Sequence, residues 1–201
     1  IFIFDEIILS ELPKDDARVT FIHEQLEKIQ SELNKIGKSL AVFHGNPIEV
    51  FTKLISENKI TSVYTNHDYE PYARKRDKEM NQLFVANGIS FLTSKDQVIF
   101  EKSEVVKDDG TPYVVYTPYS KKWKENFRKI KLVHYNSEDK LDKIVNHSYP
   151  FLSLADIGFE KSNIKVSPFD VSENLIQNYE ATRNFPALNK TSYLGIYLRF
   201  G

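Results

Sequence analysis

The feature that most constrains this chain is an alternation, repeated three times, of a short apolar run and a helical pattern. Four runs have strand length: Ile1-Phe2-Ile3-Phe4, Leu40-Ala41-Val42-Phe43-His44, Thr61-Ser62-Val63-Tyr64-Thr65-Asn66 and Ile89-Ser90-Phe91-Leu92. Between the first two, apolar residues fall at Val19, Ile22, Leu26, Ile29, Leu33 and Ile36. Those steps of three and four predict a long amphipathic helix, and Gly37 stands where a helix stops. Between the second and third runs, Gly45-Asn46-Pro47 turns the chain, with Pro47 suited to a first helical position. Ile48, Phe51, Leu54 and Ile55 give that helix its inner face. A charged helix over about 70–87 then places Ala73, Met80, Leu83 and Phe84 inward, and Gly88 closes it. Short apolar strands joined by helical crossovers predict an α/β fold, a Rossmann-like parallel sheet with helices on both faces.

Beyond the fourth run the pattern changes. Asp108-Asp109-Gly110-Thr111-Pro112 predicts a turn, Val114-Val115-Tyr116 an extended piece, and Thr117-Pro118 the opening of a helix that carries Trp123. Lys121, Lys122, Lys124, Arg128, Lys129 and Lys131 surround that tryptophan. The reading there is a solvated helix face, with Trp123 and Phe127 packing inward. From about 131 to 168 no period is sustained, and Pro150 and Pro168 punctuate a polar stretch. A segment of that length predicts a linker laid over the surface between two domains. Leu175 to Gly201 is again helical in pattern, interrupted at Phe185-Pro186. The expected organisation is an α/β domain over 1–130, a linker over 131–168, and the first helices of an all-α domain over 169–201.

Composition narrows the function classes. The net charge of -1, from 27 Lys+Arg and 28 Asp+Glu, excludes a histone-type nucleic-acid binder. A hydrophobic fraction of 41%, with 14 Phe and 11 Tyr, is enough for a sizeable core. The absence of Cys removes thiolate nucleophiles and cysteine-ligated metal centres. The histidines (His23, His44, His67, His134 and His147) form no HExxH pair, so no metal site is expected. No GxGxxG or P-loop is present. No apolar run reaches the ~18 residues of a membrane span, and no basic leader stands at the start. The expected protein has no membrane association and is cytoplasmic. Both ends stop within apolar patterns, which reads as a piece of a longer protein.

In parallel α/β sheets ligands bind outside the carboxyl ends of the strands. The candidates by that rule are Asp5 and Glu6, His44 to Asn46, and Asn66 to Glu70. In the last group Asp68 and Glu70 offer carboxylates and Tyr69 or Tyr72 a ring to stack on a cofactor. The alternative is a solvated helix start, with Arg74, Lys75, Arg76 and Asp77 in ion pairs. Thr191-Ser192 precedes an apolar run and marks a helix start, serving as a simple cap or as a phosphate site.

The C-terminal pattern narrows this further. Tyr179-x-x-x-Arg183-Asn184-Phe185-Pro186-Ala187, then Thr191-Ser192-Tyr193-Leu194 and Tyr197-Leu198-Arg199-Phe200-Gly201, closely resembles the photolyase/cryptochrome family of flavoproteins. Other pieces agree in order. Phe2-Ile3-Phe4-Asp5 resembles the family's second strand and His44-Gly45-Asn46-Pro47 its Gly-Asp-Pro turn. Asp68 to Asp77 resembles its antenna-side helix start, and Tyr116-Thr117-Pro118-Tyr119 its Thr-Pro-Phe segment. The family's first strand, with its Trp-Phe-Arg-Arg-Asp-Leu-Arg motif, has no counterpart here.

The resemblance implies an N-terminal domain for a light-harvesting antenna chromophore (deazaflavin, folate or flavin) and a helical domain for FAD. It implies a light-driven lyase, deoxyribodipyrimidine photo-lyase, that splits cyclobutane pyrimidine dimers in damaged DNA by electron transfer from reduced FAD. By position, Tyr179, Thr191, Ser192, Tyr193, Leu194 and Gly195 would contact FAD, with Thr191 and Ser192 on the phosphates. Arg183 would contact the DNA backbone, and Asp68, with Glu70 beside it, an antenna of deazaflavin type. Gly195 stands where many members have Ser, and Tyr72 and Ala73 where folate-using members have Asn and Glu. No catalytic residue falls within the chain, and the parent is expected to be a monomer. The rival readings are a cryptochrome photoreceptor and a nucleotide- or flavin-binding α/β module without catalysis.

Overall fold

The structure is a computed structural model and describes residues 1–96 and 98–200. Gly201, the last residue of the Tyr-Leu-Arg-Phe-Gly motif, lies outside the described residues. The order of elements is β1 (Phe2–Asp5), α1 (Glu6–Ser10), α2 (Ala17–Lys35), β2 (Val42–Gly45), α3 (Pro47–Glu57), β3 (Ser62–Asn66), α4 (Pro71–Ala86), β4 (Ser90–Ser94), α5 (Tyr116–Phe127), α6 (Glu173–Gln177), α7 (Tyr179–Thr182) and α8 (Leu194–Phe200). Single 3-10 turns occupy Lys102–Glu104, Glu138–Lys143 and Ala155–Ile157. The fold is α/β with parallel pairing, as the alternation predicts. Among the described residues the ladders form two two-stranded sheets, β1 with β2 and β3 with β4, where the alternation predicted one sheet of four. By packing, the chain divides into Ile1–Phe51 with Asn146–Gly201, and Thr52–Val145.

In the first unit β1 and β2 pair from Phe2↔Val42 to Asp5↔Gly45. The Asp5 carboxylate accepts the Ile7 N–H at 3.0 Å and so opens α1. This short helix was not anticipated, because five residues carry too little periodicity. The Asp16 carboxylate caps α2, accepting the Arg18 N–H at 2.8 Å and the Arg18 guanidinium at 2.7 Å. Those bonds hold the Asp16 carboxyl below the usual carboxylate range. Gly37, at φ 71°, ends α2 with Lys38 N–H bonded to Leu33 O at 3.0 Å, a stop that only a residue at ease with positive φ makes cheaply. Phe4, Leu9, Val19, Leu26 and Val42 form the core together with Ile157 and Phe159.

Those last two residues correct an expectation. The stretch 131–168 does not all lie over the surface, because Ile157 and Phe159 are buried in this core. The returning chain is also fastened by polar bonds. His23 Nε2–H donates to Leu152 O at 2.8 Å, and Ser162 N–H donates to Thr20 Oγ1 at 3.0 Å. Apolar residues without a period serve well here, because an irregular segment buries side chains one at a time rather than as a stripe. The C-terminal part forms three short helices, and its interruption is wider than the Phe185-Pro186 pair.

In the second unit β3 and β4 pair from Ser62↔Ser90 to Asn66↔Ser94, with α4 as the crossover. Pro71 stands at the first turn of α4, and Ala73, Met80 and Phe84 face the sheet, with the Phe84 and Phe91 rings 5.2 Å apart. Gly88, at φ 69°, closes the helix as its position predicts, with Ile89 N–H on Phe84 O at 2.9 Å. Trp123 is stacked on Phe127 at 5.0 Å and meets Phe100 edge-on at 5.5 Å, which agrees with the inward packing expected of it.

Candidate ligand and cofactor site

The carboxyl edge of the β3–β4 pair carries the densest polar cluster. The ladder continues one bond past β3, with His67 N–H on Ser94 O at 2.8 Å. His67 then turns its ring to Glu101, with Nδ1 2.5 Å from Oε1. The Tyr69 hydroxyl donates to the same oxygen at 2.5 Å. An ionised carboxylate only accepts, so Nδ1 carries the proton, and in the neutral ring Nε2 is left to accept from Thr93 Oγ1 at 2.9 Å. The Tyr69 hydroxyl and then His67 hold the Glu101 carboxyl below the usual carboxylate range. The same bond to Glu101 pushes the Tyr69 phenol up to about 12.

Glu101 is itself anchored. Its N–H donates to Glu104 Oε2 at 2.5 Å, and Lys95 Nζ bonds both Glu104 oxygens at 2.6 and 2.8 Å. Lys102, the next residue, has φ 47°, a left-handed conformation that costs a non-glycine side chain about 1–2 kcal/mol. Such outliers persist where surrounding bonds over-determine the backbone.

Asp68 and Glu70 sit in this loop and are both exposed. Asp68 Oδ1 accepts the Glu70 N–H at 3.0 Å, while the Glu70 carboxylate makes no capping bond to α4. A pair of outward carboxylates beside a strand edge fits a ring that presents N–H donors. The other strand-end candidates have structural work. Asp5 caps α1, and Asn46 Oδ1 accepts the Ile48 N–H at 2.9 Å to cap α3, with Pro47 at its first position. Glu6 lies in the first turn of α1, and His44 and Gly45 close β2.

The C-terminal candidates fall in two groups. Tyr179 opens α7, and the Arg183 guanidinium lies over its ring at 6.0 Å. Thr191 to Gly195 lead into α8, which begins at Leu194. Ser192 Oγ accepts the Leu194 N–H at 3.4 Å, and Ser192 O accepts the Asp170 N–H at 2.9 Å. Tyr193 has φ 53°, and its hydroxyl bonds Asn189. A Cβ added at Gly195 would meet nothing within 4 Å, so the missing serine hydroxyl leaves open space. Gly195 and Arg199 border an apolar cavity of about 610 Å³ walled by Phe2, Phe4 and Val19. The Tyr193 hydroxyl is engaged by Asn189 and the Leu194 N–H by Ser192 Oγ, so the donors this segment offers a ligand are the Thr191 and Ser192 hydroxyls. The structure brings 191–195 together and pairs Tyr179 with Arg183.

Glu101 and Thr93 were missed by sequence reasoning. No spacing links residues 67, 69, 93 and 101; only the parallel pairing of β3 with β4 gathers them. Among the described residues no cluster of three or more His, Asp and Glu is arranged to hold a metal ion. Nor is any described helix long and apolar enough to cross a membrane.

The DNA photolyase family model matches residues 1–138. The deoxyribodipyrimidine photo-lyase of Synechococcus sp. (strain ATCC 27144 / PCC 6301 / SAUG 1402/1) is 26% identical over 219 residues, an alignment that takes in all of this chain and 45% of that protein. The deoxyribodipyrimidine photo-lyase of Halobacterium salinarum is 27% identical over 213 residues, again all of this chain and 44% of the relative. Among solved structures, the archaeal photolyase from Sulfolobus tokodaii with two FAD molecules superposes with a TM-score of 0.64 at 22% identity, over 100% of this chain and 45% of that one. The chain therefore spans a little under half the length of these photolyases.

Proposed function

The chain belongs to the DNA photolyase family, and on that footing we propose that it is the antenna-side part of a light-driven lyase that splits cyclobutane pyrimidine dimers in damaged DNA. The observation that carries this reading is the family match over 1–138, which takes in the whole β3–α4–β4 ligand edge. In this reading residues 1–130 serve the antenna, 131–168 lead across, and 169–201 open the flavin-binding helices. That domain division cuts the chain at other points than the two compact units, Ile1–Phe51 with Asn146–Gly201 and Thr52–Val145.

Asp68 and Glu70 accept hydrogen bonds from an antenna ring of deazaflavin or flavin type. Tyr72 and Ala73 disfavour a folate, which would lack its Asn and Glu. Tyr179 and Thr191, Ser192, Tyr193, Leu194 and Gly195 hold FAD, with the Thr191 and Ser192 hydroxyls at its phosphates. Reduced FAD, when bound, supplies the light-driven electron. Arg183 binds a DNA phosphate, which suits its fixed fork of donors. The 201 residues give the FAD site one wall only, and so few contacts do not offset the entropy of association.

The test is an absorption and fluorescence spectrum of the purified chain, followed by mass spectrometry of whatever heat releases. A near-ultraviolet or blue band from a released deazaflavin or flavin supports the antenna reading and identifies the chromophore. A released folate, or failure of added deazaflavin and flavin to bind, refutes it. For the whole protein, light-dependent loss of thymine dimers from an oligonucleotide is expected, and its absence refutes the lyase assignment. The isolated chain is expected to repair nothing.

A further inference from the structure

We infer that Glu101 is a positioning residue for the antenna-side ligand: its carboxylate locks His67 and Tyr69, and so fixes the loop that presents Asp68 and Glu70. The inference rests on the antenna reading of that edge, and it adds a residue that neither the motif nor the spacing contains.

The geometry is specific. His67 and Tyr69 flank Asp68, and both bond one oxygen of Glu101 at 2.5 Å. His67 and Tyr69 are bonded to Glu101, and the loop they hold leaves the Asp68 and Glu70 carboxylates exposed, with Asp68 Oδ1 also accepting the Glu70 N–H at 3.0 Å. The Glu101 side chain keeps only 12% of its exposure and the His67 side chain 24%, while Tyr69 reaches the same carboxylate from an exposed position and the Asp68 and Glu70 carboxylates stay open. Thr93 of β4 completes the hold on His67 at 2.9 Å.

The carboxylate has little freedom to move. Its own N–H is bonded to Glu104, Glu104 is paired with Lys95, and the backbone turns through the left-handed Lys102. Hydrogen bonds to an ionised acceptor are about twice as strong as neutral ones. Two of them on one oxygen, tied to a braced turn, make Glu101 the member whose loss frees the loop. His67 or Tyr69 alone would leave the other bond in place.

The test uses the full chain with Glu101→Ala, Glu101→Gln and Tyr69→Phe. Tyrosine ring carbons labelled with 13C follow the phenol titrations, with Tyr69→Phe assigning the signal. The probes for binding are FAD, a 5-deazaflavin and a folate, read by fluorescence titration. In the parent chain Tyr69 is expected to titrate at about 12. In Glu101→Ala it falls to about 10, and affinity for the probe that binds falls about tenfold or more, as it does when an orienting residue is lost. Glu101→Gln removes the charge but keeps an acceptor oxygen, so the Tyr69 hydroxyl keeps its bond, its titration stays above the ordinary tyrosine value, and most of the affinity returns.

If Tyr69 titrates identically in the parent chain and Glu101→Ala, there is no lock and the inference falls. If Tyr69 shifts but affinity does not, Glu101 is structural only and the inference falls. If the parent chain binds none of the three probes while Tyr69 titrates at about 12, the antenna reading itself is refuted, and with it the ligand role of the lock. Should Glu101→Ala fail to fold, the double variant His67→Ala/Tyr69→Phe removes both bonds to Glu101 and is expected to lose affinity about tenfold, and unchanged affinity overturns the inference.

Discussion

Phe84 tests the packing that holds the carboxyl edge of β3 and β4 in place. It has 0% exposure, lies on the inner face of α4, and meets Phe91 of β4 at a tilt, with ring centroids 5.2 Å apart. A fully buried Phe removes about 150–250 Å² from water. At about 25 cal/mol per Å² that is roughly 4–6 kcal/mol, an upper figure because the unfolded chain is already partly compact. Phe→Ala substitutions in cores cost about 3–5 kcal/mol, cavity included. Phe84→Ala is therefore expected to lose about 4 kcal/mol, a large share of the roughly 5–15 kcal/mol that stabilises a domain. The assay is urea unfolding followed by Trp123 fluorescence. This is the chain's one tryptophan, and it lies in the same compact unit as Phe84. The m value should be unchanged while the midpoint falls. Tyr64→Ala, at a side chain 73% exposed on β3, is the control and should stay within about 0.5 kcal/mol. A loss below about 1.5 kcal/mol for Phe84→Ala, or an equal loss for Tyr64→Ala, would refute the inward placement of α4.

Three further outcomes are expected. The Glu101 carboxyl is held low and the Tyr69 phenol is raised to about 12, so the 67–101 lock weakens at both ends of the pH range. The Glu101 share is complete above its ordinary carboxylate range, near 4.3, and is lost as pH falls through its lower folded value. The Tyr69 share is complete below about 10 and is lost as pH rises from there to about 12. Protection of the 67–70 amides, taken relative to the intrinsic exchange rate at each pH, should be greatest between those limits. Gly88→Ala should destabilise the second unit by about 1–2 kcal/mol, because its φ of 69° puts a Cβ into the left-handed region, and denaturant unfolding at Trp123 measures it. Asp16→Ala removes the cap of α2 and the partner of Arg18, and should cost about 1–2 kcal/mol in a thermal melt. That loss should shrink toward acid pH, where the Asp16 carboxyl is protonated in any case.

Much of the fold is legible along the chain. The three- and four-residue steps from Val19 to Ile36 become α2, and Gly37 and Gly88 stop their helices as their positions imply. Pro47 and Pro71 open α3 and α4 as ring-fixed φ favours. Local signals are enough there because each rests on bonds within one or two turns. The helix α1 escaped notice, since its one capping bond from Asp5 leaves no periodic trace. Ile157 and Phe159 were read as surface linker, since burial of single residues in an irregular segment has no period to betray it.

For the proposed ligand edge the division is sharper. Asp68 and Glu70 were reachable from sequence, because they follow a strand and carry the family's motif. That His67 and Tyr69 share a single oxygen of Glu101 was not, because those residues lie 34 and 32 positions from it. The sequence by itself determined the four strands, the helices α2, α3 and α4 and where they stop, and which family the chain belongs to. Only the tertiary structure decided which strands pair, which linker residues enter the core, and which carboxylate braces the loop. The physical reason is range: caps, turns and periodicity are written in neighbouring residues, whereas a hydrogen bond across a parallel ladder exists only once the crossover helix has folded the chain back.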